Sequence, residues 1–417
     1  MTAVQFHVSK ISIPPEDCRT IEAVADQHSC MLVRHVTKLA VTCQVSQPFL
    51  LPLTGRSTYP IPFSRNSRLQ RTQRTHKACR VENMGAAAAE EAKAHILVLT
   101  DPEAPELEVL EKLPQGARVV AIAKDLEGLK GLSQDEWDSV NVLVRGGFKN
   151  IVKDVWPKLK NLQWVHSTPV GVDSLLFDEL VHSATVVTNS RGCYSNSLAE
   201  FAVASCKWFA LDMPRMLAQK KARIFEAFDV EELRGKTMGV VGYGDIGQTC
   251  AALGRAFQMN LIAVRRRTEL TQKEHEQHLK VYPPNQLHRL MAESDYVVLA
   301  LPATPATKHM INKAAIAAMK PTGVLVNVGR GSTLVEAALV EALQEGRIKG
   351  AALDVFEVEP LPTESPLWDL PNVLMTPHTA DRTKQFQHDA MEVFVANLKR
   401  FLAGEELQFL VDKHVGY

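Results

Sequence analysis

The chain has 417 residues, of which 46% are hydrophobic, with 47 basic and 47 acidic residues and a formal net charge of zero at neutral pH. That length exceeds one ordinary domain and suits two. The balanced charge argues against a nucleic-acid or membrane-surface partner, both of which call for a basic excess, and no apolar run approaches the roughly 18 residues of a bilayer span.

The N-terminal part stands apart. From Gln44 to Cys79 the chain is rich in Ser, Thr and Arg and holds no acidic residue, and neither helical nor extended periodicity is sustained before Met84. An Arg- and Ser-rich, acid-poor leader resembles an organelle transit peptide, although Glu16, Asp17, Glu22 and Asp26 break that pattern near its start. Residues 1–90 are therefore expected to be an extension outside the fold. If it is a transit peptide, the protein is bound for a chloroplast or mitochondrion. The other reading is a non-functional extension with Met84 as the working start, which leaves the protein in the cytoplasm. The seven cysteines fit neither a zinc site nor a disulfide framework, so free thiols in a reducing compartment are expected.

From residue 94 the sequence alternates short apolar strands with amphipathic helices, the pattern of doubly wound parallel α/β sheets. Five strands are predicted at 95–100, 118–123, 141–145, 162–167 and 185–189, then a long helical stretch from Ser197 through "AEFAVASCKWFALDMPRML". A second strand series follows at 237–244, 261–265, 296–302, 323–329 and 350–356, and a final helical segment at 381–404. Two α/β domains are expected. A flavodoxin-like substrate domain would be built from 94–196 and 375–417, and a Rossmann dinucleotide-binding domain of residues 197–374 would be inserted into it. The ligand would lie in the cleft between them.

The second series opens on "GVVGYGDIG". Gly242 allows a tight turn, Gly244 lets the backbone approach a pyrophosphate, and Gly247 lets strand and helix pack closely. Asp245 and Ile246 lie between them, and the helical pattern "QTCAALGRAF" turns its N-terminus toward the phosphates. An incidental glycine-rich turn is the plain alternative, and the apolar run before it and the helix after it speak against that. Eighteen residues beyond Gly247, where an NAD enzyme carries a ribose-binding acid, stands Arg265, followed by Arg266 and Arg267. A guanidinium cannot accept from ribose hydroxyls, but it can pair with a 2′-phosphate of about −1.5 to −2 charges. NADP(H) is therefore the preferred cofactor and NAD(H) the second choice. The plain alternative is a solvated, charged strand end.

Polar residues then close three apolar runs: Arg330 after "VLVNVG", Asp354 and Glu359 in "LDVFEVEP", and His378 in "VLMTPHTA". In open α/β sheets the carboxyl ends of strands border the ligand crevice. Singly, each has a dull explanation, as a surface pair, a turn before proline or a satisfied core histidine. Together with "LRGKTMGVVGYGDIG", "LPATPATKHMINKAAIAAMKPTGVLVNVGRGS", "ALVEALQEGRIKGAALDVFEVEPLP" and "SPLWDLPNVLMTPH", they are specific. From residue 95 to 404 the chain resembles the D-isomer-specific 2-hydroxyacid dehydrogenase family, in its glyoxylate/hydroxypyruvate reductase-like form.

The resemblance implies a catalytic set of Arg330, Glu359 (not Glu357) and His378. Reduction of a 2-keto acid adds hydride to the carbonyl carbon and a proton to its oxygen. An arginine fork can bind the carboxylate and polarise the ketone, and a histidine is the proton donor whose pKa lies nearest neutrality. Glu359 would fix the histidine tautomer. The resemblance also implies that Asp354 meets the nicotinamide carboxamide, that Pro302 and Val328 line the cofactor site, and that the backbone of Val170 and Gly171 holds the substrate carboxylate. A small 2-keto or 2-hydroxy acid is the implied substrate, and a homodimer the implied assembly. No metal-ligand cluster is seen. Pro169 in "STPVGVD" and Asp381 after "PHTA" depart from the family's usual residues and bear on which keto acid is used. The competing reading is a dinucleotide-sensing regulatory or scaffold protein on the same fold. It would be expected to carry an added interaction tail, whereas the closing "GEELQFLVDKHVGY" reads as short and ordinary.

Overall fold

The computed structural model describes residues 93–147 and 151–417. The leader and the transit-peptide reading lie outside the described residues, as do four of the seven cysteines. Cys193, Cys206 and Cys250 are free thiols.

Two sheets are formed, and every strand pair in both is parallel. The first holds β1 (Ala94–Leu99), β2 (Ala117–Ala123), β3 (Val142–Arg145), β4 (Trp164–Ser167) and β5 (Val186–Asn189), in the order β2-β1-β3-β4-β5. The second holds β6 (Thr237–Val241), β7 (Asn260–Val264), β8 (Lys280–Tyr282), β9 (Tyr296–Leu299), β10 (Val324–Asn327), β11 (Gly350–Leu353) and β12 (Val373–Met375). Its order is β12-β11-β10-β9-β6-β7-β8. Strands covered on both faces need no polar alternation, which is why "VLVN" and "YVVL" are uninterrupted and wholly buried.

The predicted strands are present, most of them trimmed by a residue or more at one end. Two three-residue strands, β8 and β12, are additional. The long helical stretch is in fact two helices, Ser195–Ala210 and Met213–Ala222. They are separated at Asp212, whose φ of 49° lies in the left-handed region, and Pro214 follows in the first turn of the second helix. The final helix begins at Phe386 rather than 381, after a run of turns, and ends at Ala403.

Two helices cross between the sheets. Ser195–Ala210 buries Ala202, Cys206 and Phe209 in a core shared with Met238, Val240 and Cys250 of the second sheet and its first helix. Phe386–Ala403 returns to the first sheet, where Met391, Phe394 and Leu398 share a core with Ile96, Val98 and Trp164. The Phe394 ring stacks on Trp164 at 5.3 Å, a geometry worth about 0.5–1.5 kcal/mol beyond the area buried. Among the described residues no helix is long and apolar enough to cross a membrane.

Candidate active site

The second sheet runs outward from β6 in both directions, so the crevice at its switch point opens between the ends of β6 and β9. Gly242 sits there with φ 94°, and a Cβ on it would meet the Ala300 carbonyl oxygen at 2.6 Å. A Cβ on Gly247 would lie 2.1 Å from the Gly242 carbonyl oxygen, so strand and helix touch through bare backbone. Gly244 faces open space and caps the helix Asp245–Ala256 without a side-chain hydrogen bond. That leaves an uncapped helix N-terminus above a glycine cradle, which fits a dinucleotide pyrophosphate. Asp245 in the first turn accepts from Ser195 at the start of the linking helix, tying the two helices together.

The arginine corner is more differentiated than its sequence. Arg265 follows β7, and its guanidinium forks onto Glu274, with Nη1 to Oε1 at 2.5 Å and Nη2 to Oε2 at 2.9 Å. Nη2 also donates to the Glu269 carbonyl, and the group lies 5.6 Å from the Tyr243 ring centre. Arg265 holds the Glu274 carboxyl down at about 2, and both side chains are about nine-tenths buried. The fork expected to receive a phosphate is thus already filled. Arg266 and Arg267 are exposed, and neither joins an ion pair among the described residues. The Arg266 guanidinium lies 5.1 Å from the Tyr417 ring centre.

The catalytic candidates converge at the carboxyl ends of three adjacent strands, β10, β11 and β12. His378 follows β12 with φ 50°, and its N–H donates to the carbonyls of Asp354 and Thr376. Its Nδ1 is 2.8 Å from Glu359 Oε2, which leaves Nε2 free to face a substrate. The Glu359 hydrogen bond raises the His378 pKa above its ordinary value, against the opposing pull of burial. Burial pushes the Glu359 carboxyl up, but the His378 bond and the Phe356 N–H, which donates to Oε1 at 3.0 Å, outweigh it and leave its pKa lowered. Asp354 is buried. Its Oδ1 takes hydrogen bonds from the Thr376 hydroxyl and the N–H groups of Thr379 and Ala380, which shapes the turn carrying His378. Asp381 ends that turn with its pKa raised by burial.

Arg330 leaves β10 and reaches the loop that follows β4. Its Nε donates to Asp173 Oδ1 at 3.1 Å, and Nη1 donates to the Gly329 carbonyl. The guanidinium presses on Gly171 so closely that a Cβ there would fall 1.3 Å from Nη2. Val170 and Gly171 are therefore beside Arg330. The Val170 carbonyl accepts from Asn189, and Tyr194 donates to the Thr168 carbonyl at 2.6 Å. Pro302 follows β9 and its carbonyl accepts from Thr307, while Val328 follows β10 and is buried.

Two further residues belong to this constellation. Arg145 ends β3, is 4% exposed, and donates from its two Nη atoms to the hydroxyls of Ser167 and Ser174, which flank the Gly171 loop. Burial lowers its pKa, while nearby Asp173 works to raise it. Asp173 is the carboxylate that holds Arg330. A charged residue closing the apolar strand "NVLVR" was the one sequence signal for Arg145.

A family model described as D-isomer specific 2-hydroxyacid dehydrogenase, NAD binding domain, matches residues 209–380. The chain is 33% identical over 321 residues to a D-3-phosphoglycerate dehydrogenase of Methanocaldococcus jannaschii, covering 76% of this chain and 59% of that protein's length. It is 35% identical over 287 residues to a glyoxylate reductase of Pyrococcus furiosus, covering 66% of this chain and 83% of the relative. A crystal structure of an NADPH-dependent glyoxylate/hydroxypyruvate reductase from Sinorhizobium meliloti, with NADP and sulfate, superposes with a TM-score of 0.68. It shares 26% identity, and the match covers 78% of this chain and all of the other.

Proposed function

The chain belongs to the D-isomer specific 2-hydroxyacid dehydrogenase family, NAD(P)-dependent oxidoreductases of CH–OH groups, and we propose that it reduces glyoxylate or hydroxypyruvate with NADPH. The observation that carries the proposal is the 2.8 Å pair of Glu359 and His378 beside Arg330, at the ends of adjacent strands above a glycine cradle. The names of the P. furiosus relative and the S. meliloti structure support the same substrate class.

When bound, the nicotinamide supplies the hydride. Arg330 binds the keto acid's carboxylate and polarises its ketone, helped by the backbone N–H groups of Val170 and Gly171. His378 gives its Nε2 proton to the ketone oxygen, and Glu359 keeps Nδ1 as the donor on the other side of the ring. Asp354 Oδ2 takes no hydrogen bond among the described residues and would accept from the nicotinamide carboxamide. Gly242, Gly244, Asp245, Ile246 and Gly247 hold the pyrophosphate, while Pro302 and Val328 line the nicotinamide side. Arg266 and Arg267 remain for the 2′-phosphate, with Arg265 behind them. In this reading two such chains pair as a homodimer.

The pH dependence has a definite sign. Reduction needs the protonated imidazole, so the rate holds below the raised His378 pKa and falls as pH rises through it. Glu359→Gln removes the main cause of that rise, so the falling limb should move to lower pH, visible in kcat against pH. An unmoved limb would detach Glu359 from the histidine's titration.

The function itself is tested by following the nicotinamide absorbance with glyoxylate and hydroxypyruvate, using NADPH and then NADH. Turnover favouring NADPH, by about tenfold or more, is the expected result. Equal rates with both would make Arg266 and Arg267 a solvated edge. Tight NADPH binding with no turnover of any keto acid would instead favour a sensing protein.

A further inference from the structure

The closing residues, which looked ordinary in sequence, are built into the fold. Val411 is buried and donates its N–H to the Val187 carbonyl, and Leu410 bridges Thr188, so the chain runs antiparallel beside β5. Lys413 places its ammonium on three carbonyls, those of Leu180, Ser183 and Thr185, at 2.7–3.0 Å. Beyond it the chain closes on itself. Asp412 Oδ1 accepts from the N–H groups of His414 and Val415, Gly416 donates to the Asp412 carbonyl, and the Asp412 N–H donates to the backbone oxygen of Tyr417. Gly416 has φ 91°, a conformation that favours glycine. This turn is anchored on the first sheet, yet its tip meets the second. Tyr417 lies against Arg266 just past β7, and a Cβ on Gly416 would be 3.5 Å from Thr304 just past β9.

We propose that residues 412–417 form a strap across the adenosine side of the cofactor cleft, in which Tyr417 is a positioning residue for Arg266. The proposal rests on the NADPH reading above. A guanidinium over an aromatic face presents its N–H edge outward while its flat face is satisfied by the ring. Arg265 cannot serve in this way, because both its Nη atoms are spent on Glu274. The two neighbouring arginines therefore divide the work. Arg265 braces the wall of the site, and Arg266, held by a residue from the far end of the chain, reads the phosphate.

The test is calorimetric and needs no turnover. Full-length protein is titrated with NADPH, NADH, 2′,5′-ADP and 5′-ADP, as wild type, Tyr417→Ala and Tyr417→Phe, each also in an Arg266→Ala background. Tyr417→Ala should weaken NADPH and 2′,5′-ADP by about 2- to 5-fold, the size of one exposed cation–π contact, and leave NADH and 5′-ADP unchanged. Tyr417→Phe should restore binding, and the alanine effect should vanish without Arg266. Equal weakening of all four ligands would reduce the strap to a structural element and overturn the proposal. So would an unchanged preference for the 2′-phosphate in Tyr417→Ala, with the NADPH reading left standing. Wild type that binds 2′,5′-ADP no tighter than 5′-ADP would overturn both.

Discussion

Replacing His378 with alanine is expected to lower kcat for keto-acid reduction by about 10²–10⁴-fold while leaving NADPH binding intact. The ring sits in a left-handed turn whose shape is set by the Asp354 carboxylate, and its Nδ1 is committed to Glu359. Only Nε2 is left to exchange a proton with substrate. The other two members of the catalytic set cannot take over that transfer at neutral pH: the Glu359 pKa is lowered, and Arg330 does not give up a proton. Steady-state assays beside a cofactor titration would check this. A variant retaining more than a tenth of wild-type kcat would show that the proton comes from elsewhere.

Arg330→Lys is expected to lower kcat/KM by about 10²–10³-fold, near the loss seen when one oxyanion donor is removed. Lysine keeps the charge but loses the fork, and with it the simultaneous hold on a carboxylate and a ketone. The structure shows how closely this fork is fitted. It presses on Gly171 without room for a Cβ, and Asp173 holds its Nε at 3.1 Å. Gly171→Ala should therefore displace Arg330 and reduce kcat/KM in the same direction without removing any charge. If Arg330→Lys affected only KM for NADPH, Arg330 would belong to the cofactor and not to the keto acid.

Much of the fold was legible because parallel strands buried on both faces carry unbroken apolar runs, as in "HILVLT" and "YVVLALP". Their polar terminators, Arg330 and Asp354, could be read as strand-end residues for the same reason, whereas His378 followed only a short apolar run. The three-residue strands β8 and β12 were not legible, being too short for any period to show. Nor was the break at Asp212, since "FALDMPRML" keeps a helical pattern through it, and only the proline hints at a new start. Pairings made by tertiary folding leave no local trace. Glu274 captures Arg265 across a nine-residue separation, Asp173 captures Arg330 across 157, and Lys413 fills carbonyls about the β5 approach more than 220 residues away. For that reason Arg265, which the sequence puts at the phosphate-reading position, is the one of the three arginines that the structure finds already paired.

The most direct measurement is a single-turnover one. Enzyme saturated with NADPH is mixed with glyoxylate, and loss of the nicotinamide absorbance is followed for wild type and His378→Asn side by side, after titration has shown that both bind NADPH. Rapid oxidation by wild type at neutral pH, slowing as pH rises, with at least 100-fold slower oxidation by His378→Asn, is the predicted result. Equal rates in the two proteins, or a wild-type rate that climbs with pH, would contradict a reductase that works through the Glu359–His378 pair.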